Sequence, residues 1–224
     1  MYDVTVIDYG VGNLLSVQRG FEKCGAKVRL DSDPRSILTA KRVVLPGVGA
    51  FANAMAALKN YGLIQVIQEI AERNTPLLGI CLGMELLFQE SSEFGTTKGL
   101  GLIPGYVTSI PRVTKESSQL KIPHIGWNSI HPPRKDTGWH ESVLSKNEVG
   151  DSMYFVHSFM AVPTEEENRL ADCNYGGHRI SSVVIKNNIT GCQFHPEKSG
   201  EAGLKILKEF ASYNAEKTFS PIFV

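Results

Sequence analysis

Leu78-Gly79-Ile80-Cys81-Leu82-Gly83 is a short apolar run that breaks into a Gly-x-Cys-x-Gly turn, and a helical pattern resumes at Met84. A strand turning this sharply into a helix lifts the corner side chain above the sheet edge. The flanking glycines remove side chains that would collide there. The N-terminus of the following helix then points at the sulfur, which favours the thiolate. The residues alone leave two readings open: Cys81 is a nucleophile on an elbow, or it is a buried structural cysteine, the commoner fate of that residue.

Outward from this turn the chain alternates strand and helix. Val4-Thr5-Val6-Ile7 reads as a strand ending at Asp8-Tyr9-Gly10, and Asn13 is placed to cap a helix whose apolar positions are Leu14, Val17, Phe21 and Cys24. Val28 to Leu30, Arg42 to Leu45 and Pro76 to Cys81 read as further strands. Leu63, Ile64, Val66, Ile67 and Ile70 mark an amphipathic helix, and Met84 to Phe88 begins another. This alternation predicts a mostly parallel open sheet of the flavodoxin-like α/β class, one domain over residues 1–224, with helices on both faces.

The second half is strand-rich. Tyr106 to Ile110, Asn128 to His131, Ser152 to His157, Arg169 to Cys173, Ser181 to Ile185 and Ile189 to Phe194 read as strands, with Asn187-Asn188 as a hairpin turn. They predict antiparallel strands added to the sheet. Residues 112–121 and 132–150 are polar and turn-rich and read as surface loops. A last helix spans about Glu201 to Tyr213. The apolar tail Phe219-Ser220-Pro221-Ile222-Phe223-Val224, part of the last ten or so residues, is expected to dock on the body. No internal repeat is found.

Composition bounds the function. The 224 residues are 42% hydrophobic and carry 23 basic and 23 acidic side chains, so the formal net charge is zero. That suits one α/β domain and lacks the basic footprint of nonspecific nucleic-acid binding. No apolar run has the length of a membrane span, and Met1-Tyr2-Asp3-Val4 lacks the basic and apolar regions of a signal peptide, so the chain reads as cytoplasmic. Cys24, Cys81, Cys173 and Cys192 show no C-x-x-C pairing, so neither a metal site nor a disulfide framework is suggested, and no cofactor is indicated.

A nucleophilic cysteine needs a base and an acceptor that orients the base. Among six histidines, His195 follows the strand ending at Phe194 and precedes Pro196-Glu197. A strand end places it on the carboxyl edge of the sheet, where open α/β folds build sites. Glu197 is near enough in sequence to bond the far ring nitrogen. Pro46-Gly47-Val48-Gly49, following the strand that ends at Leu45, has the two glycines that let backbone N–H groups turn toward a developing oxyanion. The N–H of Leu82, next after Cys81, would be the second donor.

With these residues in place the chain resembles the class I (triad) glutamine amidotransferases, through Pro46-Gly47-Val48-Gly49, Gly79-Ile80-Cys81-Leu82-Gly83-Met84 and Phe194-His195-Pro196-Glu197. Three further runs, Pro123-His124-Ile125-Gly126-Trp127-Asn128, Tyr154-Phe155-Val156-His157-Ser158 and His195-Pro196-Glu197-Lys198-Ser199-Gly200, resemble the branch serving as the glutaminase subunit of imidazole glycerol phosphate synthase. So does the opening Asp8-Tyr9-Gly10-Val11-Gly12-Asn13. The resemblance runs from Val4 to about Phe210.

It implies that Cys81 attacks the glutamine carboxamide, that His195 is base and then acid, and that Glu197 orients it. It further implies oxyanion donors at Gly47, Val48 or Gly49 and at Leu82, with Val48 the peptide that reorients on activation. Backbone groups of Ser158 and Phe159 would hold the substrate α-carboxylate. Ammonia would pass to a (β/α)₈ cyclase partner in a heterodimer for histidine synthesis, with Asn13, Trp127, Tyr154 and Lys198 at the interface. One residue departs from the pattern: the nucleophile helix of the family reads C-L-G-M-Q, whose glutamine contacts substrate, and this chain has Glu85 there. Glu85 either accepts from the substrate ammonium or repels its carboxylate and raises the Cys81 thiol pKa. It keeps open a paralogous role, feeding ammonia to a sugar amidotransferase in surface-polysaccharide synthesis.

Overall fold

A computed structural model describes residues 2–213. The chain order begins β1 (Val4–Ile7), α1 (Leu14–Lys23), β2 (Val28–Asp31), α2 (Pro34–Ile37), β3 (Val43–Gly47), α3 (Phe51–Asn60), α4 (Leu63–Glu72) and β4 (Leu77–Cys81). It continues with α5 (Leu82–Leu86), β5 (Phe88–Ser91), β6 (Thr97–Lys98), β7 (Ile103–Ser109), β8 (His124–Ser129) and β9 (Ser152–His157). The last elements are β10 (Phe159–Pro163), β11 (Arg169–Tyr175), β12 (His178–Lys186), β13 (Ile189–Cys192) and α6 (Gly200–Ser212).

The central sheet has seven strands in the order β11-β12-β13-β4-β3-β1-β2. β13, β4, β3, β1 and β2 run parallel, and β12 and β11 add antiparallel pairs beyond β13. This is the expected mostly parallel α/β sheet. Strand periodicity splits its core in two. Val44, Leu78 and Ile80 face a cluster with Val17 and Phe21 of α1 and Ile206, Leu207 and Phe210 of α6. Val43, Leu45 and Leu77 face the other cluster, with Phe51 and Leu58 of α3 and Leu63, Ile67 and Ile70 of α4. Helices therefore cover both faces.

Local chemistry explains the boundaries. The Asn13 side chain accepts the N–H of Ser16 at 3.3 Å and starts α1 as expected. Asn187, with φ of 53°, makes the turn joining the antiparallel β12 and β13. α1 lies close to the Pro196–Lys198 turn because residue 20 is glycine: a Cβ there would meet Leu207 Cδ1 at 2.8 Å and Glu197 Cβ at 3.0 Å. A second sheet of four strands, β10-β7-β5-β6, and the hairpin β8-β9 stand beside the main sheet.

Several expectations are corrected. The helix expected over Met84 to Phe88 is five residues long and ends at Leu86, and Phe88 opens β5 instead. The reason is burial without a polar face, since every residue from Leu82 to Phe88 is buried. β8 begins at His124, earlier than the expected Asn128, because Ile125 and Trp127 point to solvent, against the usual polarity of an outer face. The 132–150 segment is more than a surface loop, because it buries Trp139, Val143 and Leu144. The indole Nε1–H of Trp139 donates to the Leu170 carbonyl at 2.9 Å. The docking expected of Phe219 to Val224 lies outside the described residues.

Candidate active site

Cys81 sits between the last ladder pair of β4 and the first turn of α5 with φ 54° and ψ −115°. A non-glycine residue in that region stores on the order of 1–3 kcal/mol of backbone strain, which the surroundings must over-determine. Packing of the neighbouring glycines does so. A Cβ on Gly83 would lie 1.8 Å from the Leu45 carbonyl oxygen, and one on Gly79 would lie 2.7 Å from the Gly83 oxygen. The corner therefore closes down on β3 so tightly that only glycine fits on either side of the cysteine.

Cys81 is buried, and burial pushes its thiol above the usual range, with the Glu85 charge adding to the rise; the Leu82 N–H, bonded toward the sulfur, pulls the other way. The expectation that a helix dipole favours the thiolate is corrected here. A five-residue helix supplies little field, and desolvation outweighs it. Burial therefore favours the thiol form of Cys81.

His195 lies just beyond the neighbouring strand. β13 pairs with β4 in parallel, Cys192 opposite Ile80, so the chain leaving β13 toward His195 emerges beside Cys81. His195 Nδ1 bonds Glu197 Oε1 at 2.9 Å, and both side chains are almost fully buried. A carboxylate only accepts, so Nδ1 carries the proton. Nε2, which is buried with no hydrogen-bond partner, is left as the basic nitrogen. The His195 backbone is strapped to β9: its N–H donates to the Tyr154 carbonyl at 3.0 Å. The Ser199 hydroxyl donates to the His195 carbonyl at 2.7 Å and accepts the Tyr154 N–H at 2.9 Å.

The glycine strand also lies against the elbow, with Gly47 opposite Cys81 in the β3-β4 ladder. The buried Tyr9 hydroxyl donates to the Pro46 carbonyl at 2.7 Å and fixes the strand just before it turns. Beyond that anchor Val48 is exposed, and Gly49 has φ of +101°. Peptide 48–49 is thus the first one free of the ladder, just beyond the Gly47–Cys81 pair.

Ser158 joins β9 to β10, which Phe159 opens. The carbonyls of both residues are already engaged, Ser158 O by the Ile110 N–H at 2.9 Å and Phe159 O by His157 Nδ1 at 2.7 Å. A carbonyl only accepts, so His157 carries its proton on Nδ1. Its Nε2 must then accept from His124 Nδ1, 3.0 Å away. Burial lowers the His124 pKa to about 4 and the His157 pKa to about 3, so both rings are neutral and the chain His124 to His157 to Phe159 has one direction. Sequence reasoning quoted both histidines within longer runs but gave neither a role.

Glu85 is buried four residues beyond Cys81. Gln193 Nε2 donates to its Oε1 at 2.9 Å, and burial, with the Glu93 charge adding to it, pushes the Glu85 carboxyl up to about 8. Glu93 Oε2 in turn accepts the Phe51 N–H at the start of α3 at 2.6 Å. The sequence offered no signal for Gln193 or Glu93, which only the fold brings to this corner.

Of the four residues expected at an interface, Asn13 at the cap of α1, Trp127 on β8 and Lys198 on the Pro196–Lys198 turn are exposed, and Tyr154 on β9 is half-buried. Trp127 is 60% exposed and meets Tyr154 edge-on at 6.0 Å between ring centroids. Ile125 and Leu15, exposed nearby in sequence, were not anticipated. Arg19, Lys23 and Lys198 line a cleft of about 290 Å³ that reaches Glu197 from the α1 side. The four cysteines are free, and among the described residues no group of His, Cys, Asp or Glu is arranged to hold a metal. No described helix is long and apolar enough to cross a membrane.

The family model for glutamine amidotransferase class-I matches residues 5–212. The chain belongs to that family. Within it, the chain is 48% identical over 210 residues to imidazole glycerol phosphate synthase subunit HisH 1 of Legionella pneumophila (strain Lens), covering 94% of this chain and 99% of the relative. It is 46% identical over 212 residues to the HisH subunit of Geobacter metallireducens, covering 94% and 98%. A crystal structure of a glutamine amidotransferase superposes with a TM-score of 0.69 at 15% identity, covering 94% of this chain and 99% of the other, a likeness of fold. The amidotransferase match spans every element from β1 to α6, so the elbow, the histidine turn and the glycine strand all lie within it.

Proposed function

We propose that this amidotransferase chain is the glutaminase subunit of an imidazole glycerol phosphate synthase, a cytoplasmic enzyme acting with a separate cyclase subunit. The observation that carries the reading is the strained Cys81 corner one strand away from a histidine whose Nδ1 is held by Glu197 and whose Nε2 has no partner. Identity of 43–48% to HisH subunits over nearly the whole chain supports the pathway.

In this reading Cys81 Sγ attacks the glutamine carboxamide carbon while His195 Nε2 takes the thiol proton. That proton passes to the departing amide nitrogen, giving ammonia and a glutamyl thioester on Cys81. Water, deprotonated by His195, then attacks the thioester, and the proton returns to the sulfur as glutamate leaves. The Leu82 N–H, with that of Val48 or Gly49, holds the oxyanion, and Gly47 lets β3 approach closely enough to present them. N–H groups at Ser158 and Phe159 hold the α-carboxylate, since a carboxylate only accepts and the backbone N–H is the group that can donate to it.

Control by the partner follows from the β8-β9 hairpin. Trp127 and Tyr154 offer an aromatic face, and Asn13 and Lys198 offer polar contacts on neighbouring elements. The same hairpin bonds the His195 backbone and, through His124 and His157, the Phe159 carbonyl. Docking a cyclase there bears on both the base and the substrate pocket. The expected result is slow glutamine hydrolysis by the chain alone and stimulation of about 10²-fold or more when cyclase and its ribosyl substrate are added, on the scale of one oxyanion donor brought into place. The check is glutamate release under the two conditions, and equal rates would sink the gated-subunit reading.

A further inference from the structure

We propose that Glu85 is a positioning residue buried as a neutral carboxylic acid against the Gln193 carboxamide, and that its ionisation switches the glutaminase off. This inference rests on the function proposed above.

The geometry begins with an unanswered acceptor. Gln193 is fully buried, and its Nε2 donates to Glu85 Oε1 at 2.9 Å, yet its own Oε1 is buried without a hydrogen-bond donor. A protonated Glu85 carboxyl can donate to that oxygen while its other oxygen keeps the Nε2 bond, as in a cyclic acid–amide pair. Turning the Gln193 amide over gives no escape: its oxygen would then face Glu85 Oε1, and that contact also requires a proton on the carboxyl. A carboxylate leaves one buried oxygen unsatisfied in either orientation.

Among the described residues, the elements packed most closely on α5 bring no buried cation to favour the charged form. α5 packs on β3, β4, β5, β13 and α3. β4 brings Cys81, β13 brings Cys192, and β3 brings no titratable group. β5 brings Glu90, which is exposed, and just beyond it Glu93, whose charge opposes a second one. α3 brings Lys59, exposed in its last turn. Tyr9, also near the sulfur, is a buried neutral phenol engaged with Pro46. Burial and the Glu93 charge push the Glu85 carboxyl up to about 8, against the Gln193 amide N–H, whose bond to Oε1 pulls it down.

The consequence reaches the chemistry through Cys81. A neutral carboxyl has the shape and donor–acceptor pattern of the carboxamide that the family carries here, so it can serve beside the elbow as that amide does. An anion raises the thiol pKa further and opposes the negative charge that develops on the oxyanion as the sulfur attacks. The proton lost goes to solvent, and no covalent change is involved.

The test is the pH profile of kcat/KM for glutamine in the complex of the full chain with its cyclase, for the natural chain and for Glu85→Gln. The natural chain should lose activity about tenfold per pH unit above about pH 8, and Glu85→Gln should extend the plateau, leaving it about tenfold ahead at pH 9. Unchanged alkaline limbs would overturn the inference while leaving the glutaminase reading intact. Absence of hydrolysis from the natural complex at any pH would overturn the function itself. A second readout needs no activity: infrared difference titration of the isolated chain. A protonated-carboxyl C=O band should persist at pH 7, vanish as pH passes about 8, and be missing from Glu85→Gln. Complete titration of that band below pH 6 in the natural chain contradicts the proposal.

Discussion

Replacing Cys81 by alanine is expected to lower glutamine-dependent synthesis by at least about 10⁴-fold while leaving synthesis from added ammonia intact. The magnitude is that of deleting a nucleophile whose base and orienter act with it as one unit. Cys81 is the sulfur at the strained corner beside His195 and Glu197, and the other buried cysteines are not equivalent. Cys192, at the end of β13, pairs with Val183 and Ile80, and Cys173, within the edge strand β11, pairs with Ile180, so both are held in the sheet ladder. Ammonia use is spared because the cyclase chemistry belongs to another chain and the substitution removes only a thiol. The check is product formation by the complex from glutamine and from an ammonium salt in parallel. Loss of both would place part of the synthase chemistry on this chain.

The second large effect is on folding. Gly83→Ala is expected to destabilise the chain by about 3 kcal/mol or more, at the upper end of what overpacking costs, because the added carbon lies 1.8 Å from a backbone oxygen that cannot swing away. Leu45 is interior to β3, paired on one side with β4, so relief requires either β3 or α5 to move. Either movement displaces the elbow, so residual folded protein should also be inactive. Urea unfolding reads the first effect and glutamate release the second. A loss below about 1 kcal/mol would mean that the corner is looser than its packing indicates.

How much of this was legible beforehand can be traced residue by residue. The elbow, the β13 turn carrying His195 and the glycine strand were readable because each couples a special backbone to a fixed local sequence. Gly79 and Gly83 admit no other residue, and Glu197 needs only two positions to reach His195. The parallel sheet was readable from apolar strands separated by amphipathic helices. α3, with Phe51, Ala54, Met55 and Leu58 at helical spacing, is weakly signalled because Ala50 at its start makes no side-chain cap. β5, β6 and β10 are short and lack a clear alternation, so their pairing with β7 is a tertiary choice.

The pair Glu85–Gln193 was out of reach for a different reason. The two residues are 108 positions apart, and nothing in either local sequence announces the other. Glu85 could be noticed only as a departure from a pattern, and the sign of its effect depends on its protonation state. That state is set by burial and by Glu93, both properties of the folded chain. The histidine chain from His124 through His157 to Phe159 is similar: the residues stood in recognisable runs, but the tautomers follow only from which atoms accept.

The direct measurement of the central claim is an acid quench of the complex during turnover with glutamine, followed by peptide mass spectrometry. A covalent glutamyl thioester, gained with loss of ammonia, is expected on the peptide carrying Cys81, more abundant with the cyclase and its substrate present than with the chain alone. A glutamyl adduct on Cys192 or Cys173, or sustained turnover with Cys81 unmodified and dispensable, would contradict it.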